Sequence, residues 1–174
     1  EQIWETPSGW RFFKSVNNTN IGLMYIGTAI LFFILAGILA LIMRVQLAVP
    51  DNDLVAASTY NQIFTMHGTI MMFLFAIPFF EALTVFLLPG MLGTRDLAFP
   101  RLSSYGFWCY MIGATIMIIA LVAGVAPDGG WFMYPPLSSS TYSSGINTDI
   151  WLLGISFIEI SAIGAAIEVV VTVL

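Results

Sequence analysis

Long runs of apolar residues alternate with short polar stretches along this chain of 174 residues. Four runs are long enough to cross a hydrocarbon core about 30 Å thick, which takes about 20 helical residues. They extend from about 21 to 42, 60 to 88, 105 to 126 and 150 to 174. A transmembrane β-barrel would show short segments of alternating hydrophobicity instead. The pattern therefore predicts an all-α, polytopic transmembrane helix bundle, with 1–174 as a single transmembrane segment.

Polar and helix-breaking residues set the predicted ends of these spans. The first span follows the polar stretch SVNNTN and ends before Arg44. Proline has no backbone N–H to donate, and its ring clashes with the preceding turn of a helix. We therefore expect Pro78 to break the second span and the pair Pro89-Gly90 to end it. The third span is expected to stop at the stretch PDGG.

Basic residues in short loops predict the orientation of the bundle, because Lys and Arg accumulate on the cytoplasmic side of membrane proteins. Only Arg44 lies at one end of the predicted spans. The other four basic residues fall at the opposite end: Arg11, Lys14, Arg95 and Arg101. The N-terminus is therefore expected inside. The aromatic and charged stretch 3–14 is expected to lie along the inner membrane interface.

Composition supports a membrane protein and excludes several other classes. Hydrophobic residues make up 59% of the chain and charged residues 9%, whereas soluble domains are about half apolar and a quarter charged. The net charge of −5, with only five Lys and Arg, argues against a nucleic-acid partner. The single cysteine, Cys109, excludes an intramolecular disulfide and a cysteine-cluster metal site. The chain does not begin with Met and stops within an apolar run, so we expect a segment of a longer protein.

The only histidine, His67, lies in the second span, about 10 Å below its predicted outer end. An imidazole with an unpaired nitrogen is unfavourable in such apolar surroundings. Phe64, Met71 and Leu74 share its helical face. The adjacent Gly68 leaves room for a bulky group, so the site would suit a flat apolar macrocycle whose iron binds the imidazole. The alternative is a histidine that is hydrogen-bonded to a backbone carbonyl across the bundle, with the apolar neighbours serving only in packing.

Three carboxylates, Glu81, Glu159 and Glu168, also lie within apolar spans. A buried carboxylate is usually paired or protonated, and chains of such acids are typical of proton relays. Glu159 is expected too deep to reach the headgroups, which favours a partner or a proton-transfer role. Glu168 lies near the inner face, where it could transfer protons or reach the headgroup layer. At about 100° per residue, these last two lie on opposite faces of the fourth span.

An ordered set of motifs resembles the first four helices of subunit I of the haem-copper terminal oxidases. The stretch YNQIFTMHGTIMMFLFAIPFF is followed by RDLAFPRLSSYGFW and then by GGWFMYPPL. Each motif alone is weak, but their order is specific, and the match covers essentially the whole chain. The resemblance implies four spans of a subunit of about twelve helices. It also implies the N-terminal part of a catalytic subunit that reduces oxygen to water and translocates protons.

The resemblance assigns roles to two residues near the outer ends of the first and second spans. In this family the second-helix histidine, matched by His67, is one of two axial ligands of a low-spin haem of a or b type. The other axial ligand, the high-spin haem and the copper are implied on later helices, so this segment alone would be inactive. Arg44 matches an arginine that is implied to interact with a haem substituent, although from the residues alone it could equally be an interfacial arginine. Gln46 stands where an acid is common, which argues against a cation site there.

The resemblance also implies a proton path. Asp96 matches the aspartate of D-x-A-F-P-R at the entrance of the channel called the D pathway, whereas electrostatics alone would make it a solvated loop acid. Family asparagine positions carry Val85, Ser103 and Glu168 in this chain, and a serine pair of the fourth helix is reduced to Ser161. We therefore expect a rerouted path to which Ser103, Ser161 and Glu168 contribute.

Three functions remain open from the sequence. The first is part of a terminal oxidase, whose partners would be the remaining helices of subunit I, other oxidase subunits and cytochrome c or quinol as electron donor. The second is a haem-free proton or cation transporter that uses the intramembrane glutamates and His67. The third is a structural membrane subunit. The expected location is the inner membrane of a bacterial cell, with the mitochondrial inner membrane as the alternative.

Overall fold

The computed structural model describes residues 7–174. Residues 1–6 of the predicted segment 1–174 therefore lie outside the described residues. They include positions 3–6 of the predicted interfacial stretch. The predicted all-α bundle with four spans is confirmed within the described part of the chain. A short 3₁₀ helix, Gly9–Lys14, precedes four long helices, each long and apolar enough to cross a membrane. These are α1 (Asn18–Gln46), α2 (Ala57–Leu92), α3 (Pro100–Val122) and α4 (Asn147–Val173).

All four helices begin earlier than the apolar runs, and in two of them a polar cap or a proline starts the helix. The side chain of Asn17 caps α1 by accepting hydrogen bonds from the backbone N–H groups of Thr19 at 2.9 Å and Asn20 at 3.3 Å. Such a cap satisfies N–H groups that have no partner within the helix. Pro100 occupies the first turn of α3, where its missing N–H costs nothing and its fixed φ suits the helix.

Two expectations about proline in the second span are wrong. Pro78 does not break α2, and Pro89-Gly90 does not end it, since the helix continues to Leu92. The chain leaves the helix at Gly93, which adopts the left-handed conformation with φ 71°. Glycine takes this conformation without steric cost and commonly ends helices in this way. A proline in the last turns removes one hydrogen bond but does not itself redirect the chain.

Two features allow α2 to continue through Pro78, namely a π-helical segment and a hydrogen bond from a side chain of α3. Residues Ile70–Ala76 form a π-helical segment within α2. Because Pro78 has no N–H, the carbonyl of Leu74 lacks the donor that an α-helix would supply four residues later. The hydroxyl of Tyr110 in α3 donates to this carbonyl at 2.7 Å. The second and third helices are thereby joined in the buried part of the bundle.

Neighbouring helices run antiparallel, so their ends meet in two groups. At one end, the backbone N–H of Ala98 in the α2–α3 loop donates to Thr172 near the end of α4 at 3.0 Å. At the other end, Asn147 at the start of α4 donates to the carbonyl of Ala126 at 3.0 Å. We call the first the basic end, because it gathers the four basic residues Arg11, Lys14, Arg95 and Arg101.

Aromatic rings fill the centre between α1 and α3. Tyr25 stacks on Tyr110 with ring centroids 5.4 Å apart, and Phe32 meets Tyr110 edge-on at 6.0 Å. Both tyrosines are almost fully buried. Such aromatic pairs stabilise beyond their buried area, and they set the distance between these two helices.

Candidate functional site

His67 is oriented by a hydrogen bond to the neighbouring helix. Its Nδ1 lies 2.9 Å from the backbone carbonyl oxygen of Ala36 in α1. A carbonyl oxygen can only accept, so Nδ1 carries the proton and Nε2 keeps its lone pair. Within residues 7–174 no hydrogen-bond partner occupies Nε2. A histidine held in this way can act as a metal ligand through its other nitrogen.

The imidazole lines a cleft between α1 and α2 with a volume of about 560 Å³. This volume lies in the range of pockets that hold small molecules and cofactors. Arg44, exposed in the last turn of α1, lines the same cleft as Phe64 and His67. Its other lining residues are mainly apolar: Ala40, Met43, Leu47, Ala48 and Tyr60.

The expected apolar face around His67 is only partly correct. Phe64 lines the cleft, but Leu74 is fully buried in the core and Met71 does not line the cleft. The π-helical segment Ile70–Ala76 is the reason. A π turn contains more residues than an α turn, so side chains after Ile70 rotate away from the face that regular α-helical spacing predicts.

The space beside Gly68 is filled by an aromatic side chain from the α3–α4 connection, which corrects the expectation that it leaves room for a bound group. A Cβ on Gly68 would lie only 2.4 Å from Cδ1 of Trp131. The backbone N–H of Gly130 donates to the hydroxyl of Thr65 at 2.9 Å and fixes the loop there. Trp131 therefore forms part of the surroundings of His67, a role that sequence reasoning missed.

Both polar atoms of the Gln46 side chain form hydrogen bonds with the loop between α1 and α2. Its carboxamide nitrogen donates to the backbone carbonyl of Asn52, and its oxygen accepts from the backbone N–H of Val55 at 2.9 Å. Both halves of the amide therefore hold the loop.

The structure brings three of the predicted proton-path residues together near the basic end. Ser103 Oγ lies 2.5 Å from Oε2 of Glu168 and 3.4 Å from Oδ1 of Asn18. The backbone N–H of Asn18 points to Oδ1 of Asp96 at 3.4 Å. Glu168 is fully buried, and its Oε1 and the Nδ2 of Asn18 have no hydrogen-bond partner among the described residues. We call Asp96, Asn18, Ser103 and Glu168 the lower cluster.

A second cluster lies deeper in the bundle around the predicted path residue Ser161. Its hydroxyl donates to Oε1 of Glu81 at 3.0 Å, and Tyr25 Oη lies 2.6 Å from it. Ser161 has a single hydroxyl proton, which it gives to Glu81, so Tyr25 donates to Ser161. We call Tyr25, Ser161 and Glu81 the upper cluster. It joins α1, α2 and α4 through side chains.

Glu159 belongs to neither cluster. It is exposed on α4, whereas Glu168 on the same helix is buried, as helical periodicity predicts. The expectation that Glu159 contributes to the path is therefore not matched by its position. Sequence reasoning also missed Asn18 and Tyr25. Their spacing of seven residues on α1 was the available signal, because it puts both on one helix face.

Four apolar spanning helices with polar side chains gathered inside define a polytopic integral membrane protein. The chain belongs to the cytochrome c and quinol oxidase polypeptide I family, whose model matches residues 20–174.

Similar curated proteins carry matching names. The chain is 37% identical over 165 residues to a probable cytochrome c oxidase subunit 1-alpha of Streptomyces coelicolor, covering 94% of this chain and 28% of that protein. It is 40% identical over 171 residues to a probable cytochrome c oxidase subunit 1-beta of Nocardia farcinica, covering 96% and 29%. A cytochrome c oxidase subunit 1 of Alkalihalophilus pseudofirmus is 39% identical over 146 residues, covering 84% and 23%. The chain spans less than a third of the length of these relatives.

Proposed function

We propose that this chain is part of the catalytic subunit of a respiratory terminal oxidase, which reduces oxygen to water and translocates protons. Residues 1–174 would form one transmembrane segment of that subunit. In this proposal the segment supplies one axial ligand of a low-spin haem of a or b type and the entrance of a proton-uptake path. The family membership supports the class of enzyme. The haem assignment rests on the second nitrogen of His67, which has no hydrogen-bond partner among the described residues, and on the cleft that His67 shares with Arg44.

The residues around the cleft fit a haem by their donor set. The carbonyl of Ala36 holds the ring of His67 and fixes its tautomer, which leaves Nε2 as the ligand. Arg44 lines the same cleft, where its guanidinium could pair with a carboxylate substituent of the macrocycle. A haem held by His67 and by a second imidazole would supply single-electron transfer there. The second imidazole, the high-spin haem and the copper ligands would come from the remaining helices.

The lower cluster would take up protons. Asp96 lies in the loop at the basic end, half-buried, where it can exchange protons with water. Ser103 and Glu168 follow it towards the membrane interior, and the hydroxyl between them can donate or accept. The unpaired atoms of Asn18 and Glu168 are buried polar groups that water can satisfy. The proposed path would therefore run through Asp96, Ser103 and Glu168 and onward to Ser161.

The proposed partners and location follow from the same assignment. The remaining helices of subunit I, other oxidase subunits and an electron donor, either cytochrome c or quinol, would contact this segment. The relatives named above are bacterial proteins, which supports the inner membrane of a bacterial cell over the mitochondrial inner membrane. Haem distinguishes this function from a haem-free transporter and from a structural subunit.

The haem assignment is tested by changing His67 to Ala in the full-length protein within its complex. The low-spin haem signal in a reduced-minus-oxidised difference spectrum should disappear, because the iron loses an axial nitrogen. Thr84→Ala, a half-buried position on the same helix that does not line the cleft, is the matched control and should keep the signal. An unchanged low-spin signal in the His67→Ala protein would overturn the assignment.

The proton-entrance assignment is tested by Asp96→Asn, which keeps the shape of the side chain and removes the titratable proton. Proton uptake should slow on the order of a hundredfold, the low end of what a positioned proton-transfer group contributes. Asp53→Asn, an exposed acid at the opposite end of the bundle, is the control and should leave uptake unchanged. Equal uptake rates in the two variants would remove Asp96 from the path.

A further inference from the structure

Glu81 is a carboxylate in the middle of a membrane-spanning helix with hydroxyl groups as its partners. It lies eleven residues before the end of α2, or about 16 Å from the basic end at 1.5 Å per residue. That depth is near the centre of a hydrocarbon core about 30 Å thick. The side chain is half-buried, and no Lys or Arg of residues 7–174 forms a salt bridge with it. An ionisable group at this depth is a candidate functional group.

The partners of Glu81 suit a group that changes its protonation. Ser161 donates to Oε1 at 3.0 Å, and Tyr25 donates to Ser161 at 2.6 Å. Hydroxyl groups donate or accept, so the same two side chains can hold a carboxylate or a carboxylic acid. A Lys or Arg side chain in their place would instead stabilise only the carboxylate form of Glu81. The upper cluster therefore accommodates both states of Glu81 without rearranging the backbone.

The upper cluster lies above the lower cluster on the same helix faces. Asn18 and Tyr25 are seven residues apart on α1, and Ser161 and Glu168 are seven apart on α4. Two helical turns separate each pair, or about 10 Å. This distance is too long for a direct proton transfer, so water has to connect the clusters.

Gly106 of α3 leaves space at the upper cluster. It follows Ser103 by three residues and so faces the same side of its helix. A Cβ on Gly106 would lie 3.3 Å from Tyr25 Oη and 3.4 Å from Ser161 Oγ. A side chain here would crowd both hydroxyls. The missing side chain therefore lets the backbone of α3 lie close to both hydroxyls.

On its other side Glu81 lines an apolar groove of about 490 Å³ between α2 and α4. Small and medium-sized apolar side chains form the α4 wall, namely Ala162, Ala165, Ala166, Val169 and Val170. The carboxyl group thus lies between a chain of hydroxyls and the outer surface of this four-helix segment. A proton held there is at the end of the polar route within the described chain.

We propose that Glu81 is a proton-accepting site in the membrane interior, loaded through Tyr25 and Ser161. Ser161 gives its hydroxyl proton to the carboxylate of Glu81 and receives the proton of Tyr25, and Tyr25 receives the proton that the lower cluster passes on through water. The hydroxyls end unchanged, and the carboxylate becomes a carboxylic acid. This inference rests on the proposed function, because it takes the lower cluster as the proton supply. It also gives Glu81 the proton-transfer role that the sequence favoured for Glu159.

Other titratable side chains interact electrostatically with Glu81, one from each of the three other helices. They are Tyr25 of α1, Tyr110 of α3 and Glu168 of α4. The hydroxyl of Tyr110 already donates its proton in the hydrogen bond to the carbonyl of Leu74. A change in proton occupancy near this site is therefore assigned to Glu81 only when it is absent from the Glu81 variant and retained when Tyr110 or Glu168 is substituted.

The test compares Glu81→Gln with Glu159→Gln in the full-length protein within its complex. Glu159 is a matched control, since it is an exposed carboxylate on a spanning helix outside both clusters. Infrared difference spectra should lose one carboxylic-acid C=O band in Glu81→Gln and keep it in Glu159→Gln. Proton uptake should slow at least tenfold only in the Glu81 variant, and Glu81→Asp should restore part of it. Ser161→Ala and Tyr25→Phe should slow uptake while keeping the band.

The outcomes separate this inference from the proposed path. If Asp96→Asn slows uptake while Glu81→Gln matches Glu159→Gln in both rate and infrared spectrum, the role of Glu81 is wrong and the entrance stands. If Glu81→Gln slows uptake and Asp96→Asn does not, Glu81 stands and the entrance is elsewhere. A retained low-spin haem signal in Glu81→Gln shows that the variant is folded.

Discussion

Gly68 shows at the scale of one residue how the surroundings of His67 are built. The glycine lies next to the histidine in sequence, and its missing side chain admits the indole of Trp131. Trp131 also meets Phe73 of α2 with ring centroids 6.1 Å apart. The α3–α4 connection is thus packed against the helix that carries His67.

We predict that Gly68→Ala destabilises the fold near His67. The added Cβ would meet the indole ring at 2.4 Å, so Trp131 has to move. Overpacking of this kind costs about 1–3 kcal/mol. Thermal unfolding followed by Trp fluorescence should show a lower Tm and a shifted emission maximum.

Gly90→Ala is the control for this substitution. Gly90 lies on the same helix and has nothing within 4 Å of a Cβ. Alanine favours a helix over glycine by about 1 kcal/mol, so this variant should be neutral or slightly more stable. An equal effect of both substitutions on Tm and emission would contradict the role of Trp131.

Sequence reasoning reached some residues of the candidate site and missed others for a clear reason. His67, Arg44 and Asp96 were identified from their motifs, and each motif is a local pattern. Asn18 and Tyr25 carry no motif of their own, and they matter only because α1 packs beside α3 and α4. Which polar groups meet depends on how far each helix is shifted and rotated against its neighbours.

Glycines at the scale of a helix pair decide how closely α3 and α4 approach. A Cβ on Gly113 would lie 2.5 Å from the carbonyl oxygen of Gly154 and 2.8 Å from Cγ1 of Ile158. A Cβ on Gly154 would lie 2.9 Å from Cγ of Met117. Small residues allow helix backbones to come into contact in a membrane, where packing and not hydrophobicity drives association.

We predict that Gly113→Ala separates α3 from α4. Its new methyl group would meet a backbone carbonyl, which cannot turn aside as a flexible side chain can. The expected loss of stability is about 1–3 kcal/mol, measured as the change in Tm of the detergent-solubilised protein. Gly164→Ala serves for comparison, because its nearest contacts are at an ordinary 3.6 Å. A Tm for Gly113→Ala no lower than that of Gly164→Ala would show that close approach is not required.

The π-helical segment in α2 is a feature of a helix that the sequence alone did not predict. The apolar run predicted a span there, and Pro78 indicated a disturbance. It could not indicate that the disturbance is spread over Ile70–Ala76 and stabilised by Tyr110 from another helix. The resulting change in register is why Leu74 faces the core and not the cleft of His67.

At the scale of the whole molecule, the basic end predicts the topology of the bundle in the membrane. Thr94 and Ser144 lie at opposite ends, in the α2–α3 loop and the α3–α4 connection. With the N-terminus inside, a membrane-impermeant maleimide added to intact cells should label Ser144→Cys and not Thr94→Cys. Permeabilised cells should label both. The native Cys109 is buried and should stay unlabelled, and the reverse pattern would invert the assigned orientation.

The sequence by itself determined that this chain is helical, that it crosses the membrane four times and which family it belongs to. These properties follow from the length of apolar runs and from ordered local motifs, which act within one segment. Only the tertiary structure decided that Ala36 holds His67, that Trp131 fills the space at Gly68 and that the inward carboxylates are Glu81 and Glu168. Those contacts join residues far apart in the chain, and they depend on helix register and rotation, which close packing sets.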